Sequence, residues 1–400
     1  MRVRNCFAFV GAVALLSGLS AVPPLVGVAG AASQTISIAV DHATPAGHDF
    51  EYVDFFPRSG VTVHTGDVLD FHWSKTPDGL HTATLLKNGE TPAQAWASNS
   101  LAVSDSDDGG LQLNPAVLAP THPPVASGAP GACGDATKPC VYDGSGDLNS
   151  GANPTDGSSH FFVKVNVVAG TTLDFVCLIH PGMHATVNVV AAATATSTPT
   201  QVSSAATAQA AADTGDALSV EAKTYSLVQN NADGTHTVTL VAGTATPYVE
   251  IAEMLPRDAT IIAGDTVRWV TYTIKDIHTV TFPQGDIRAT EPIPNMCEGN
   301  PDVLMSGPPP PGPPCGNPTK FEVHLNPGPV GPMAISTATT QASSGLIATP
   351  PAPFADRYTF TFPNPGTFTY QCRIHDHMIG TLTVAAGPAQ PVQGQPSFTG

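Results

Sequence analysis

Charged side chains are scarce in this chain. They make up 12% of 400 residues, against 42% hydrophobic, which excludes a coiled coil or a charged disordered tail. Basic residues are the scarcest: 15 Lys and Arg stand against 32 Asp and Glu, for a formal charge of −17. A nucleic-acid-binding face needs a basic patch, and nothing here supplies one. The acidity reads as solubility, with cationic partners a secondary reading. Long apolar runs are missing after the N-terminus. No later segment reaches the ~20 apolar residues of a membrane-spanning helix, so no transmembrane span is expected. Cysteine is sparse as well, with seven in all. Turn formers are plentiful instead: 37 Gly and 39 Pro suit short strands joined by many turns.

Residues 1–32 read as a secretory signal. Arg2 and Arg4 precede the apolar run Cys6 to Leu19, and Ala29-Gly30-Ala31 offers a small-residue cleavage site. The expected location is therefore secreted or extracytoplasmic. Residues 191–217 hold 11 Ala, six Thr and three Ser. That composition predicts a linker, with a turn or two of helix at Ala205 to Ala212. Residues 388–400 predict a frayed tail. Two domains follow, 33–190 and 218–387.

The two stretches repeat each other. Gly66-Asp67 leads into Leu69, Phe71 and Trp73 at alternate positions, and Gly264-Asp265 leads into Val267 and Trp269. Each reads as a turn and a strand with one buried face. His81-Thr82-Ala83-Thr84 and His278-Thr279-Val280-Thr281 come next. Further on, Phe161, Val163, Val165 and Val167 alternate with polar residues, as do Tyr358, Phe360 and Phe362. The halves are offset by 197 residues at the His and 195 at a later Cys, which indicates duplication. Each half has a long insertion. Residues 99–158 carry seven Asp against one Lys, and residues 292–353 carry 16 Pro. Both are expected to be surface excursions, ordered only locally. The remainder predicts an all-β fold of two sandwiches or barrels.

The six cysteines beyond the signal divide in two. Cys133 and Cys140 share one insertion, Cys297 and Cys315 the other, and each pair is a plausible disulfide in an exported protein. That leaves Cys177 and Cys372, one per half. Their surroundings read Cys177-Leu178-Ile179-His180-Pro181-Gly182-Met183 and Cys372-Arg373-Ile374-His375-Asp376-His377-Met378. Both are C-x2-H-x2-M after an alternating strand, and each half has the upstream His81 or His278. A thiolate, two imidazoles and a weak thioether are the donor set of a mononuclear blue-copper site. The alternative for either Cys is a buried small hydrophobe.

On these residues each half resembles the cupredoxins of the plastocyanin, azurin and amicyanin kind, the tight loop being most like that of amicyanin. The resemblance covers about 90 residues per half and not the insertions. It implies a Greek-key β-sandwich, one-electron transfer and two type 1 coppers. The implied ligands are His81, Cys177, His180 and Met183, and His278, Cys372, His375 and Met378. His184 and His377 adjoin the axial Met residues and are candidates for supporting roles. His72 reads as solvated, and His42, His48, His64, His122, His160, His236 and His324 lack ligand spacing. Asp143 to Asp147 faintly resembles a calcium loop without its terminal Glu. Asp376, standing where the first loop has Pro181, predicts a lower reduction potential at the second site.

Three function classes remain. The first is an exported two-site electron carrier with an unidentified redox partner protein. The second is a copper oxidoreductase of the nitrite reductase or multicopper oxidase kind. Those enzymes need a further centre, usually with a His beside the blue-copper Cys, whereas Val176 and Leu178 flank one Cys and Gln371 and Arg373 the other. No catalytic residues are assigned, and no enzyme is expected. The third is a secreted adhesive or structural module. The sequence leaves domain packing and oligomeric state open.

Overall fold

The computed structural model describes residues 33–387 apart from 75–79, 100–101, 105–110, 124, 153–159, 224–225, 286–328, 330, 351, 353 and 376. The expected signal and tail, the Cys297–Cys315 pair, His324 and Asp376 lie outside the described residues.

The fold is an all-β sandwich architecture. Before residue 191, one sheet orders the strands Thr35–Ala39, Val68–His72, His160–Val165 and Cys140–Tyr142. It faces a second sheet of Val61–His64, His184–Val190, Thr172–Val176, Thr84–Leu85 and Leu148–Asn149. The alternating residues predicted to point inward do so: Leu69, Phe71, Trp73, Phe161, Val163, Val165 and Val167 are all buried in one core. After residue 221 the pattern recurs. Val267, Trp269, Phe360 and Phe362 fill a second core, with the rings of Phe282, Phe360, Phe362 and Tyr370 packed around Trp269 at centroid distances of 5.2–6.3 Å. Offset and edge-on ring pairs of this kind add to the stabilisation from burial alone.

The repeated Gly-Asp has a physical role in both halves. Asp67 is buried and accepts from Gln34 N at 3.0 Å and His64 N at 2.8 Å. Asp265 accepts from His236 N at 2.8 Å and Ile262 N at 2.9 Å. Each carboxylate thus satisfies strand-end N–H groups that would otherwise be buried without a partner.

Two features depart from the sequence reading. Residues 99–158 are not merely an excursion. Cys140–Tyr142 pairs with His160–Val165, Leu148–Asn149 pairs with Thr84–Leu85, and Tyr142 is a core residue. These short strands escape detection because two or three residues carry no measurable period. Cys133 and Cys140 are disulfide-bonded, as expected, while Cys177 and Cys372 are free.

Within 191–217, the helix is far longer than a turn or two. It runs Pro199–Glu221, with Thr198 and Gln201 forming a capping box and Pro199 in the first turn. Alanine-rich composition favours helix, and the capping box fixes where it starts. One face buries Val202, Ala210, Asp213 and Ala217. Arg58 bridges Asp213 of this helix and Asp54, and its guanidinium lies 3.4 Å over the Tyr248 ring. Ala210 and Ala217 join Phe50, Tyr52, Val249 and Ile251 in a third core cluster, built from both halves. Strand Phe50–Tyr52 itself adds to the edge of the second half's larger sheet, antiparallel to Val249–Leu255, with Glu51 opposite Glu250.

Candidate metal centres

Cys177 directly follows strand Thr172–Val176, and Met183 directly precedes His184–Val190. Cys177 N donates to Met183 O at 3.0 Å, and Met183 N donates to His180 O at 3.1 Å. The antiparallel ladder therefore zips the loop shut at its base and presents His180 at its tip. The second loop closes the same way, with Cys372 N to Met378 O at 2.8 Å and Met378 N to His375 O at 3.2 Å. His81 and His278 arrive from the segments leading into strands Thr84–Leu85 and Thr281–Phe282.

These folds bring three donors together twice. In the first cluster His180 Nδ1 and His81 Nδ1 lie 3.7 and 3.9 Å from Cys177 Sγ and 3.1 Å from each other. In the second, His375 Nδ1 lies 3.6 Å from Cys372 Sγ. His278, Cys372 and His375 place their donor atoms within 4.8 Å of one another. All six residues are buried. Met183 and Met378 are buried in the cores that hold Cys177 and Cys372 respectively. The set combines soft sulfur with imidazole nitrogen and is screened from water, which suits a thiophilic transition metal. The two Nδ1 atoms, 3.1 Å apart beside a sulfur, share a hydrogen bond when one of them is protonated; with both ring protons on Nε2 their lone pairs converge, which a cation would satisfy.

Residues not singled out in the sequence complete each cluster. Thr82 N donates to Cys177 Sγ at 3.3 Å and Thr279 N to Cys372 Sγ at 3.3 Å. Their hydroxyls accept from Leu178 N and Arg373 N, both at 2.8 Å. Trp96 Nε1 donates to Cys177 O at 2.8 Å. The repeated His-Thr dipeptide was the sequence signal for the threonines. The far edges of the rings meet carboxylates. Glu51 Oε1 is 3.5 Å from both His81 Nε2 and His180 Nε2, Glu250 Oε1 is 3.1 Å from His278 Nε2, and Asp276 Oδ2 is 3.0 Å from His375 Nε2. In the second cluster a carboxylate on each Nε2 orients its ring with Nδ1 towards the sulfur, whereas Glu51 is shared at 3.5 Å between both rings of the first. Glu51 and Glu250 each stand six residues before a Pro-Arg pair, a correspondence the sequence reading passed over.

The two clusters differ in protonation. Burial pushes the Cys177 thiol up, and burial holds His81 well below the usual imidazole range and His180 down to about 4. In the second cluster burial is outweighed. Hydrogen bonds to Cys372 and Glu250 raise His278 to about 9, Asp276 and Cys372 raise His375 well above its ordinary value, and both imidazoles hold the Cys372 thiol well below its own. The physical cause is one carboxylate per imidazole at about 3 Å, where the first cluster shares Glu51 at 3.5 Å.

The other candidates are placed elsewhere. His184 is exposed and sits edge-on to Trp96 at 6.1 Å, and His377 is exposed. His72 is half-buried rather than solvated, 3.0 Å from Ser37 Oγ. His122 lies beside Cys133 and Cys140, whose sulfurs are spent in the disulfide. His48 meets Glu221 and Glu253 on the half-exposed surface. Asp143 accepts from Ser145 N within its own turn and Asp147 from Lys87 N of a distant segment, both at 2.9 Å.

No family model matches the chain, and no curated protein matches it. Among solved structures it is similar to an auracyanin B, at 22% identity over 40% of this chain and 96% of the other, TM-score 0.21. It is also similar to a reduced auracyanin from Roseiflexus castenholzii, at 19% identity over 37% and 96%, TM-score 0.20. A mutant amicyanin in the Cu(I) state shares 13% identity over 40% and 98%, TM-score 0.19.

Proposed function

We propose that this chain is an exported copper-binding protein with two type 1 (blue) centres, one held by His81, Cys177, His180 and Met183, the other by His278, Cys372, His375 and Met378. On this reading it passes single electrons and has no enzymatic reaction of its own. The observation that carries the reading is the twofold convergence of two imidazole rings on a buried, unbridged cysteine sulfur, with a methionine closing the same loop. Copper, when bound there, supplies a one-electron couple between Cu(I) and Cu(II). The chain's own residues do the rest. The threonine N–H groups aim each sulfur, the carboxylates orient the rings, and burial keeps water out. The Cys133–Cys140 disulfide supports an oxidising compartment. No described helix is long and apolar enough to cross a membrane.

Loading the purified protein with copper tests this. Two coppers per chain, an intense visible band and reversible electron exchange with a small redox dye are the expected results, without turnover of phenols or nitrite. Robust oxidase or nitrite turnover with a third copper would favour the oxidoreductase reading instead.

Copper affinity should depend on pH differently at the two centres. Between about pH 5 and 8, metal entry displaces one proton from the first, that of the Cys177 thiol. At the second, where both imidazoles are raised and the thiol is lowered, it displaces imidazole protons from His278 and His375. Metal binding and proton release are linked, so acidification should weaken both centres, the second more steeply than the first. Competition titrations on Cys372→Ser and Cys177→Ser, each leaving one centre, measure the two slopes. Equal slopes would overturn the assignment of charge.

A further inference from the structure

The ladder that joins the halves carries more chemistry than a packing contact needs. Glu51 and Glu250 face each other across it, 3% and 0% exposed. Asp276 lies on the loop leading to His278, beside Glu51. Carboxylate oxygens of Glu51 and Asp276 and a ring nitrogen of His180 lie within 4.8 Å of one another. Taking carboxylates out of water is costly unless they are paired or neutralised, so two buried ones beside a third whose side chain is 20% exposed call for an explanation. Their partners supply it. Between them the three carboxylates meet the Nε2 edge of all four candidate ligand histidines. None of those rings is more than 7% exposed. The centres therefore turn their imidazole edges towards each other rather than towards solvent. From one ring to the other the neighbours are continuous: His180 to Glu51 at 3.5 Å, Glu51 to Asp276 within 4.8 Å, Asp276 to His375 at 3.0 Å.

Resting on the two-copper reading, we propose that Glu51, buried, and Asp276, half-buried, form a bridge through which the two centres exchange electrons within one chain. In the exchange the reduced centre loses one electron and the oxidised centre gains it. No bond between heavy atoms is made or broken, and no proton leaves the chain. Glu51 and Asp276 are positioning residues: they act through His180 and His375 and touch no metal. The protein is then a coupled two-centre relay rather than two independent carriers on one chain.

The test uses the copper-loaded full chain. Metal counting and the spectra of Cys177→Ser and Cys372→Ser come first, and they assign a band to each centre. Fewer than two coppers at this stage overturns the copper reading, separately from the bridge. A pulse delivering less than one electron per chain then places the electron at one centre, and both bands are followed. Bleaching of one band as the other recovers, at a rate independent of protein concentration, is the expected result. Glu51→Leu and Asp276→Leu should slow this phase by about tenfold or more, a barrier change of ~1.4 kcal/mol, with both band positions unchanged. Glu51→Gln, which keeps a hydrogen-bonding side chain, should retain most of the rate. Exchange that scales with protein concentration in the parent overturns the bridge whatever the variants do. So does a parental rate in both Leu variants. If a Leu variant loses a copper, the parent's concentration dependence and the Gln variant decide.

Discussion

Cys177→Ser and Cys372→Ser should each lose one of two coppers and about half of the intense visible absorption, because the thiolate is the donor of the charge-transfer band. Both sulfurs are free and almost wholly buried, so neither loss reflects a broken disulfide. A serine hydroxyl is harder, ionises far less readily than a thiol, and does not replace a thiolate as a ligand for Cu(I). Thr82 N and Thr279 N keep an acceptor in the serine oxygen, so the fold should survive. The double variant should be colourless. Metal analysis with visible spectroscopy checks this, and a variant with an unchanged spectrum would remove its cysteine from the ligand set.

Gly243→Ala should empty the second centre and leave the first intact. Gly243 sits at a bulge in strand His236–Ala245, where the pairing with Val249–Leu255 shifts register, and its φ is +81°. A Cβ there would stand 2.1 Å from His278 Nε2 and 2.4 Å from its Cδ2. The ring has nowhere to go: it is 0% exposed and held by Glu250 on one side and the Cys372 cluster on the other. Overpacking of this kind costs typically ~1–3 kcal/mol, and the cheapest relief is to push His278 off the site. Gly170→Ala is the control. Its φ is +94° with nothing within 4 Å, so it carries backbone strain without the collision and should keep two coppers. Thermal unfolding and copper counts on both variants separate the effects. Two coppers with parental bands in Gly243→Ala would sink the argument.

The sequence by itself determined the layers and the pairing of Cys with His in each loop. Alternation at Leu69, Phe71 and Trp73, and at Phe360 and Phe362, is a local property of a strand with one dry face, so the buried positions could be read residue by residue. The Cys and His of each C-x2-H-x2-M loop were equally legible, because side chains three residues apart need only one turn to meet. Sorting the cysteines followed from proximity, and Cys133–Cys140 forms as expected.

Tertiary structure decided what depends on contacts between distant segments. Cys140–Tyr142 and Leu148–Asn149 are too short to show a period, and only their ladders with His160–Val165 and Thr84–Leu85 make them strands. The helix Pro199–Glu221 was foreshadowed by alanine but anchored by Arg58, which lies far from it in sequence. Glu51 reads in isolation as a surface acid in a short strand. It becomes a buried partner of two imidazoles only because Phe50–Tyr52 pairs with Val249–Leu255 of the other half. A side chain's type is local information, whereas the electrostatic environment that gives it a role is set by whichever faces the fold brings together.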